Sequence, residues 1–450
     1  MYSFFKKNLN YLINFLLIIF SIHTFIFGYI FLKNFNNTSS LIPLIIILIL
    51  FFFYIYLFFI KNKEIKINLI ISIIIIYISI YMFEIYLDVT GTIFKSKKDL
   101  ARNFDLREKK EVIDTLANKN QNTYPQTFLF DYVKVNKSND KIIYPFGGIS
   151  YSNTISCNES GYWPVIKRDK FGFSNTDDLY DKNLDFLLIG DSLAEGWCVR
   201  QKDNLQSLLN NNNYSSISLG VSGSGPLLQL AVLQEYKNEI RTKKIILFYA
   251  EGNDLKNLSK ELQTDILSKY YNDENFKQDL KNKQKEIDIY IKSFIKNNYI
   301  YKSNDPLNDL TYSNFFYRVA KLSNLRLILN LVASKDMQTK NDPNNLNIIN
   351  EYGIILNKFK LIAKQLNSEL YFVYTPDWTR IKQNKLKDNN LNFKKEVISL
   401  VKSKNIKVID VSEEFSKIKD PLSFYPFRRH GHFNEKGFIF LNDLILDKTK

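Results

Sequence analysis

A hydroxyl nucleophile needs a base of near-neutral pKa, and this 450-residue chain has only three histidines to offer. His23 lies in an apolar run near the N-terminus. A serine–histidine mechanism must therefore draw on His430 or His432, in the stretch Arg428-Arg429-His430-Gly431-His432-Phe433-Asn434-Glu435-Lys436-Gly437. Far upstream, Gly190-Asp191-Ser192 follows the apolar run Leu187-Leu188-Ile189, which would expose a serine hydroxyl just past the end of a buried strand. Between Leu219 and Pro226 three glycines let peptide N–H groups approach a ligand closely. Gly252-Asn253-Asp254 adds a side-chain amide that could donate to a developing oxyanion. Singly, each fragment also has an ordinary reading. Asp191 can cap a helix, Pro226 can open one, and Asn253 can close an Asx turn.

Positioning these groups requires a particular scaffold. Short apolar runs at 184–189, 215–219, 245–250, 370–374 and 406–411 have strand length and almost no polar interruption, as strands covered on both faces do. Helical patterns fall between them, near 202–211, 226–240, 345–366 and 390–404. Alternation of this kind predicts an α/β fold, a three-layer α/β/α sandwich on a five-stranded parallel sheet, with its site beyond the carboxyl ends of the strands. The third crossover exceeds a hundred residues, with a helical insertion expected at about 255–345, the size of a cap or a solvated decoration.

The four chemical fragments, in their order and at their strand ends, resemble the SGNH hydrolase family, also called GDSL esterases and lipases. The resemblance spans about 184–447. It implies Ser192 as nucleophile, the Gly223 N–H and Asn253 as oxyanion donors together with Ser192, and His432, in His-x-Asn-x-x-Gly, as base. The family places an aspartate three residues before that histidine, where this chain has Arg429. Asp420, or a main-chain carbonyl, is the expected substitute for orienting the ring. The implied reaction is acyl transfer through an acyl-Ser192 intermediate to water, without cofactor or metal. The alternatives are an O-acyltransferase of cell-surface glycan assembly, or an inactive glycan-binding or scaffolding relative. The run from Cys157 to Trp163 and on to Phe173 resembles the lead-in of membrane-linked members, and its aromatics are expected to cover a sheet edge.

Residues 1–95 differ in kind from the rest. Apolar runs at 10–32, 41–60 and 67–87 each match the length of a membrane-spanning helix, predicting a three-span anchor, a connector over 96–140 and a hydrolase domain over 141–450. Lysines 6, 7, 61, 63 and 66 favour a cytoplasmic N-terminus, which places the large domain outside the inner membrane. The +15 net charge comes largely from dispersed lysines with no dense basic–aromatic cluster, which argues against nucleic acid as a partner. An ester-bearing glycan or lipid at the membrane is the expected partner. The two cysteines, Cys157 and Cys198, form no metal-binding pattern. They read either as buried thiols or, in an oxidising compartment, as a disulfide closing a loop of about 40 residues and worth about 3–4 kcal/mol.

Overall fold

The computed structural model describes residues 59–90, 105, 107–136, 143–301, 343–388, 391–428 and 431–450, with scattered positions at 15–57 and 315–325. The chain divides into two compact units, 1–97 with 307–335, and 98–306 with 336–450.

In the first unit, helix α1 (Lys63–Thr90) carries the third apolar run, and among the described residues it alone is long and apolar enough to cross a membrane. The expected spans at 10–32 and 41–60, with His23, lie largely outside the described residues, so the three-span reading reduces to one candidate helix. An 18-residue window within it has a mean hydropathy of 2.2, which suits a lipid environment. Glu84 is the exception on this helix. It is fully buried and accepts hydrogen bonds from the N–H of Asn324 (2.8 Å), the Asn324 amide (3.0 Å) and the N–H of Leu325 (2.8 Å). Part of the long excursion after the third sheet strand thus packs within this unit, where a cap or a solvated decoration was expected.

The second unit is α/β. Residues 98–140, expected to be a connector, belong to it. They supply α2 (Lys109–Ala117), β1 (Thr123–Pro125) and α3 (Leu129–Asn136). β1 pairs parallel with β2 (Asn153–Ile155), which pairs antiparallel with β3 (Val165–Lys167) in a small sheet. The main sheet contains β4 (Asn183–Ile189), β5 (Ser216–Ser218), β6 (Arg241–Ala250), β7 (Glu369–Thr375) and β8 (Lys407–Asp410), ordered β5-β4-β6-β7-β8 and parallel throughout. The order reverses between β4 and β6, the switch point at which open α/β sheets form their ligand crevice.

The helices between these strands are α4 (Ser192–Glu195), α5 (Leu205–Asn211), α6 (Pro226–Tyr236), α7 (Asp254–Glu261), α8 (Asp265–Asn272), α9 (Gln284–Asn298), α10 (Pro343–Gln365), α11 (Trp378–Lys382), α12 (Lys394–Ser403), α13 (Val411–Phe415) and, closing the chain, α14 (Glu435–Lys448). Successive strand residues point to opposite faces. Leu187, Ile189, Ile245, Leu247 and Tyr249 pack into one hydrophobic cluster with α6, α7, α10 and α12. Phe186, Leu188, Ile246 and Phe248 pack into another with α5, α13 and α14. Covering both faces explains why the strands read as unbroken apolar runs. Every residue of α6 is buried, its polar Gln229, Gln234 and Glu235 included.

Candidate active site

β4 delivers Ser192 to the sheet edge through a turn that only glycine permits. A Cβ on Gly190 would lie 2.8 Å from Phe248 Cβ on β6 and 3.1 Å from Ala194 Cβ. Asp191 then caps α4, its carboxylate accepting from the Leu193 N–H at 3.1 Å. Ser192 is the first residue of that helix and is largely buried. Three residues on, the buried Glu195 ties α4 to its surroundings. One carboxylate oxygen pairs with Arg168 at 2.8 Å and the other accepts from the Ser222 N–H at 2.8 Å and its hydroxyl. With both oxygens satisfied, this buried ion pair fixes geometry, and loss of either partner would strand a charge.

The loop after β5 is closed by the Ser224 N–H on the Val221 carbonyl (3.1 Å), with Gly223 in the third position at φ +77°. A side chain would be strained in that left-handed conformation. Gly223 is exposed, and its N–H has no acceptor among the described residues. The start of α6 is held from a distance by Glu261 of α7, which accepts from the N–H groups of Gly225, Leu227 (3.0 Å) and Leu228 (3.3 Å). Burial pushes the Glu261 carboxyl up to about 7, against the three N–H groups that favour its ionised form.

Asn253 stands at the end of β6 as the residue capping α7. Its amide donates one proton to Asp191 Oδ2 at 3.1 Å, which joins the third fragment to the first and leaves a second N–H for another acceptor. The turn carrying it is anchored by Glu251, whose carboxylate pairs with the fully buried Arg380 and accepts from the Asp377 N–H. Next to it, the buried Asp254 carboxyl is pushed well up by desolvation and by the Asp191 charge.

His432 sits just before α14, and the spacing His-x-Asn-x-x-Gly has a direct structural reason. Asn434 caps that helix by accepting from the Gly437 N–H at 3.1 Å, and its own amide donates to the Ser423 carbonyl. A Cβ on Gly437 would stand 2.8 Å from the Phe424 carbonyl oxygen. The His432 ring lies 6.0 Å, centroid to centroid, from Trp197, whose N–H donates to the Ser192 carbonyl at 2.9 Å. Trp197 in turn meets Phe128 at 5.9 Å, and Phe128 is the side chain facing Gly223. The three fragments after β4, β5 and β6 and the histidine therefore surround one region. No hydrogen bond joins Ser192 Oγ to His432 among the described residues.

The carboxylate beside His432 is that of Glu159. It accepts from the His432 N–H at 2.9 Å and lies 3.0 and 3.2 Å from Nδ1 through its two oxygens. That contact favours the tautomer protonated at Nδ1, with Nε2 as the unprotonated nitrogen. Desolvation opposes the charged ring, but Glu159, with smaller effects from Asp191 and Glu195, outweighs it and raises the His432 pKa above its ordinary 6.5. The expected acid, Asp420, is engaged elsewhere. It pairs with Arg428 at 2.5 Å on an exposed edge, and the carboxylate at His432 Nδ1 is that of Glu159. Arg429 and His430 lie outside the described residues. Sequence reading passed over Glu159 because it sought the acid beside the histidine, within the C-terminal fragment. The signal that could have found it was the cysteine pair, since Glu159 is two residues past Cys157.

Cys157 and Cys198 are joined in a disulfide with Cα atoms 5.5 Å apart. Cys198 Sγ, a Glu159 oxygen and a His432 ring nitrogen all lie within 4.8 Å of one another. A bonded sulfur has no thiolate, so this trio is a poor metal ligand set. A nearby cleft lined by Gln126, Phe146, Arg168, Glu195 and Gly220 has neither Ser192 nor His432 in its lining. No family model matches the chain, and no curated protein matches it in sequence.

Proposed function

We propose that the chain is a serine esterase of the SGNH kind, with Ser192 as nucleophile, His432 as base and Glu159 as the acid that orients it. The observation that carries this reading is the two-point grip of Glu159 on His432, at Nδ1 and at the peptide N–H, which aims the free ring nitrogen without help from the motif's missing aspartate. In the proposed reaction Nε2 takes the Ser192 proton as Oγ attacks an ester carbonyl. The Gly223 N–H and the second amide proton of Asn253 receive the oxyanion, and the acyl group then passes to water. The candidate membrane helix and the disulfide together favour an ester at a membrane surface in an oxidising compartment, on a glycan or lipid, with the catalytic unit outside the inner membrane.

The test is turnover of a short-chain aryl ester by the full chain. Ser192→Ala and His432→Ala should each remove nearly all activity, by about 10³-fold or more, and the double variant should be little worse, as residues acting as one unit behave. A His432→Ala protein that keeps most of its activity would end the proposal. Product analysis in the presence of a sugar acceptor separates a hydrolase from an O-acyltransferase.

A further inference from the structure

The disulfide lies against the two side chains that the proposed reaction must hold in register. Glu159 belongs to the loop 156–164 between β2 and β3, a segment without regular structure. Four contacts tie that loop to the nucleophile turn and the start of α14: the Cys157–Cys198 bond, the Glu159–His432 pair, a hydrogen bond from the Tyr162 hydroxyl to Glu435, and Arg200 lying 4.3 Å over the Tyr162 ring. The Glu159 and His432 side chains are each about a third exposed, at 34 and 33 %. A part-buried pair of this kind brings limited net attraction of its own, because water still competes and the loop must be ordered. The disulfide is the one covalent constraint among the four. Cys198 is six residues past Ser192, follows Trp197, and adopts φ +64°, an uncommon conformation for a side-chain-bearing residue.

We propose that the Cys157–Cys198 disulfide is a positioning element of the catalytic site, clamping the Glu159 loop onto the nucleophile turn so that His432 is oriented only in the oxidised protein. This rests on the esterase reading of the same residues. Reduction breaks the S–S bond, with two electrons and two protons passing from a dithiol that itself becomes a disulfide, and leaves two cysteine thiols. The loop keeps its anchors to Asp105 and Arg107 but loses its covalent tie to the nucleophile turn, so the Glu159–His432 contact loosens while Ser192, Gly223 and Asn253 stay on the main sheet. Newly made chain in a reducing compartment would be weakly active, and oxidation would complete the site. The charged groups facing His432 are Glu159 from this loop and Asp191 and Glu195 from the β4–α4 turn. Of these, only Glu159 depends on the clamp.

The experiment compares four forms of the full chain in membrane vesicles: wild type, Cys157→Ala/Cys198→Ala, Glu159→Gln, and the three changes combined. It measures kcat, KM and the pH profile on an aryl ester, and the His432 ring titration by NMR. Glu159→Gln should lower kcat by about 10²-fold or more, as loss of the orienting acid does. The cysteine pair variant should lose at least tenfold in kcat with little change in KM, and its His432 midpoint should fall towards that of Glu159→Gln. The combined variant should be no worse than Glu159→Gln alone, because both lesions act through one contact. If the pair variant does not fold, wild type treated with a small dithiol supplies the same comparison. Full kcat and an unmoved His432 titration without the disulfide would overturn the proposal, as would losses that multiply in the combined variant. If wild type shows no ester turnover yet the His432 midpoint falls on reduction, the clamp stands and the esterase reading fails.

Discussion

Glu159 gives His432 a charge preference that should be visible in rate. The base must be neutral to accept the Ser192 proton, and its pKa is raised above 6.5 by the neighbouring carboxylate. Activity should therefore fall as pH drops through that raised value, and Glu159→Gln should move the acid limb to lower pH while reducing kcat. The same pair bears on stability with a definite sign. A histidine whose pKa rises on folding stabilises fully below its unfolded value, and that contribution disappears as pH rises through the folded one. Asn253 supports a second expectation at this scale. One of its amide protons is held by Asp191 and the other is available, so Asn253→Ala should lower kcat by about 10²–10³-fold, as loss of an oxyanion donor does. Ser192, Gly223, Asn253 and His432 could be nominated from sequence because each lies near a strand end or a helix start with its own local grammar. Glu159 could not, because a carboxylate that reaches its partner across 273 positions leaves no local pattern.

Among the elements, the strands and the helices between them fell close to their expected positions, since burial on both faces writes a continuous apolar run into each strand. What sequence could not give was the set of side chains that lock elements to one another. Glu195 binds α4 to the Gly223 turn, Arg380 and Glu251 bind α11 to the end of β6, and Glu261 of α7 caps α6. Glu261 carries a measurable consequence. Its carboxyl, near 4.5 when unfolded, is pushed up to about 7 in the folded chain. The folded state then holds the extra proton between those values, so this residue makes stability fall as pH rises from about 4.5 to about 7. Glu261→Ala should remove that slope. It should also cost about 3 kcal/mol in chemical denaturation, because three buried N–H groups lose their acceptor. A slope unchanged in Glu261→Ala would assign the pH dependence to another group.

For the molecule as a whole, the division into an apolar unit and an α/β unit was readable from composition, and α1 fits it at 67–87. The return of residues 307–335 to the first unit was not, because the excursion's mixed, charged sequence reads equally as a lid. A buried Glu84 with three donors reveals that packing, and no hydropathy pattern encodes it. If the α/β unit lies outside the inner membrane, a reporter active only beyond the cytoplasm should be active when fused after Lys450, and a cytoplasmic reporter there should be silent. The most direct measurement of the central claim is the site of labelling by a serine-directed fluorophosphonate on the full chain, read by mass spectrometry. One adduct is expected, on Ser192, abolished by Ser192→Ala and strongly slowed by His432→Ala or Glu159→Gln. Labelling that survives Ser192→Ala, or a folded wild-type chain that takes no label, would contradict it.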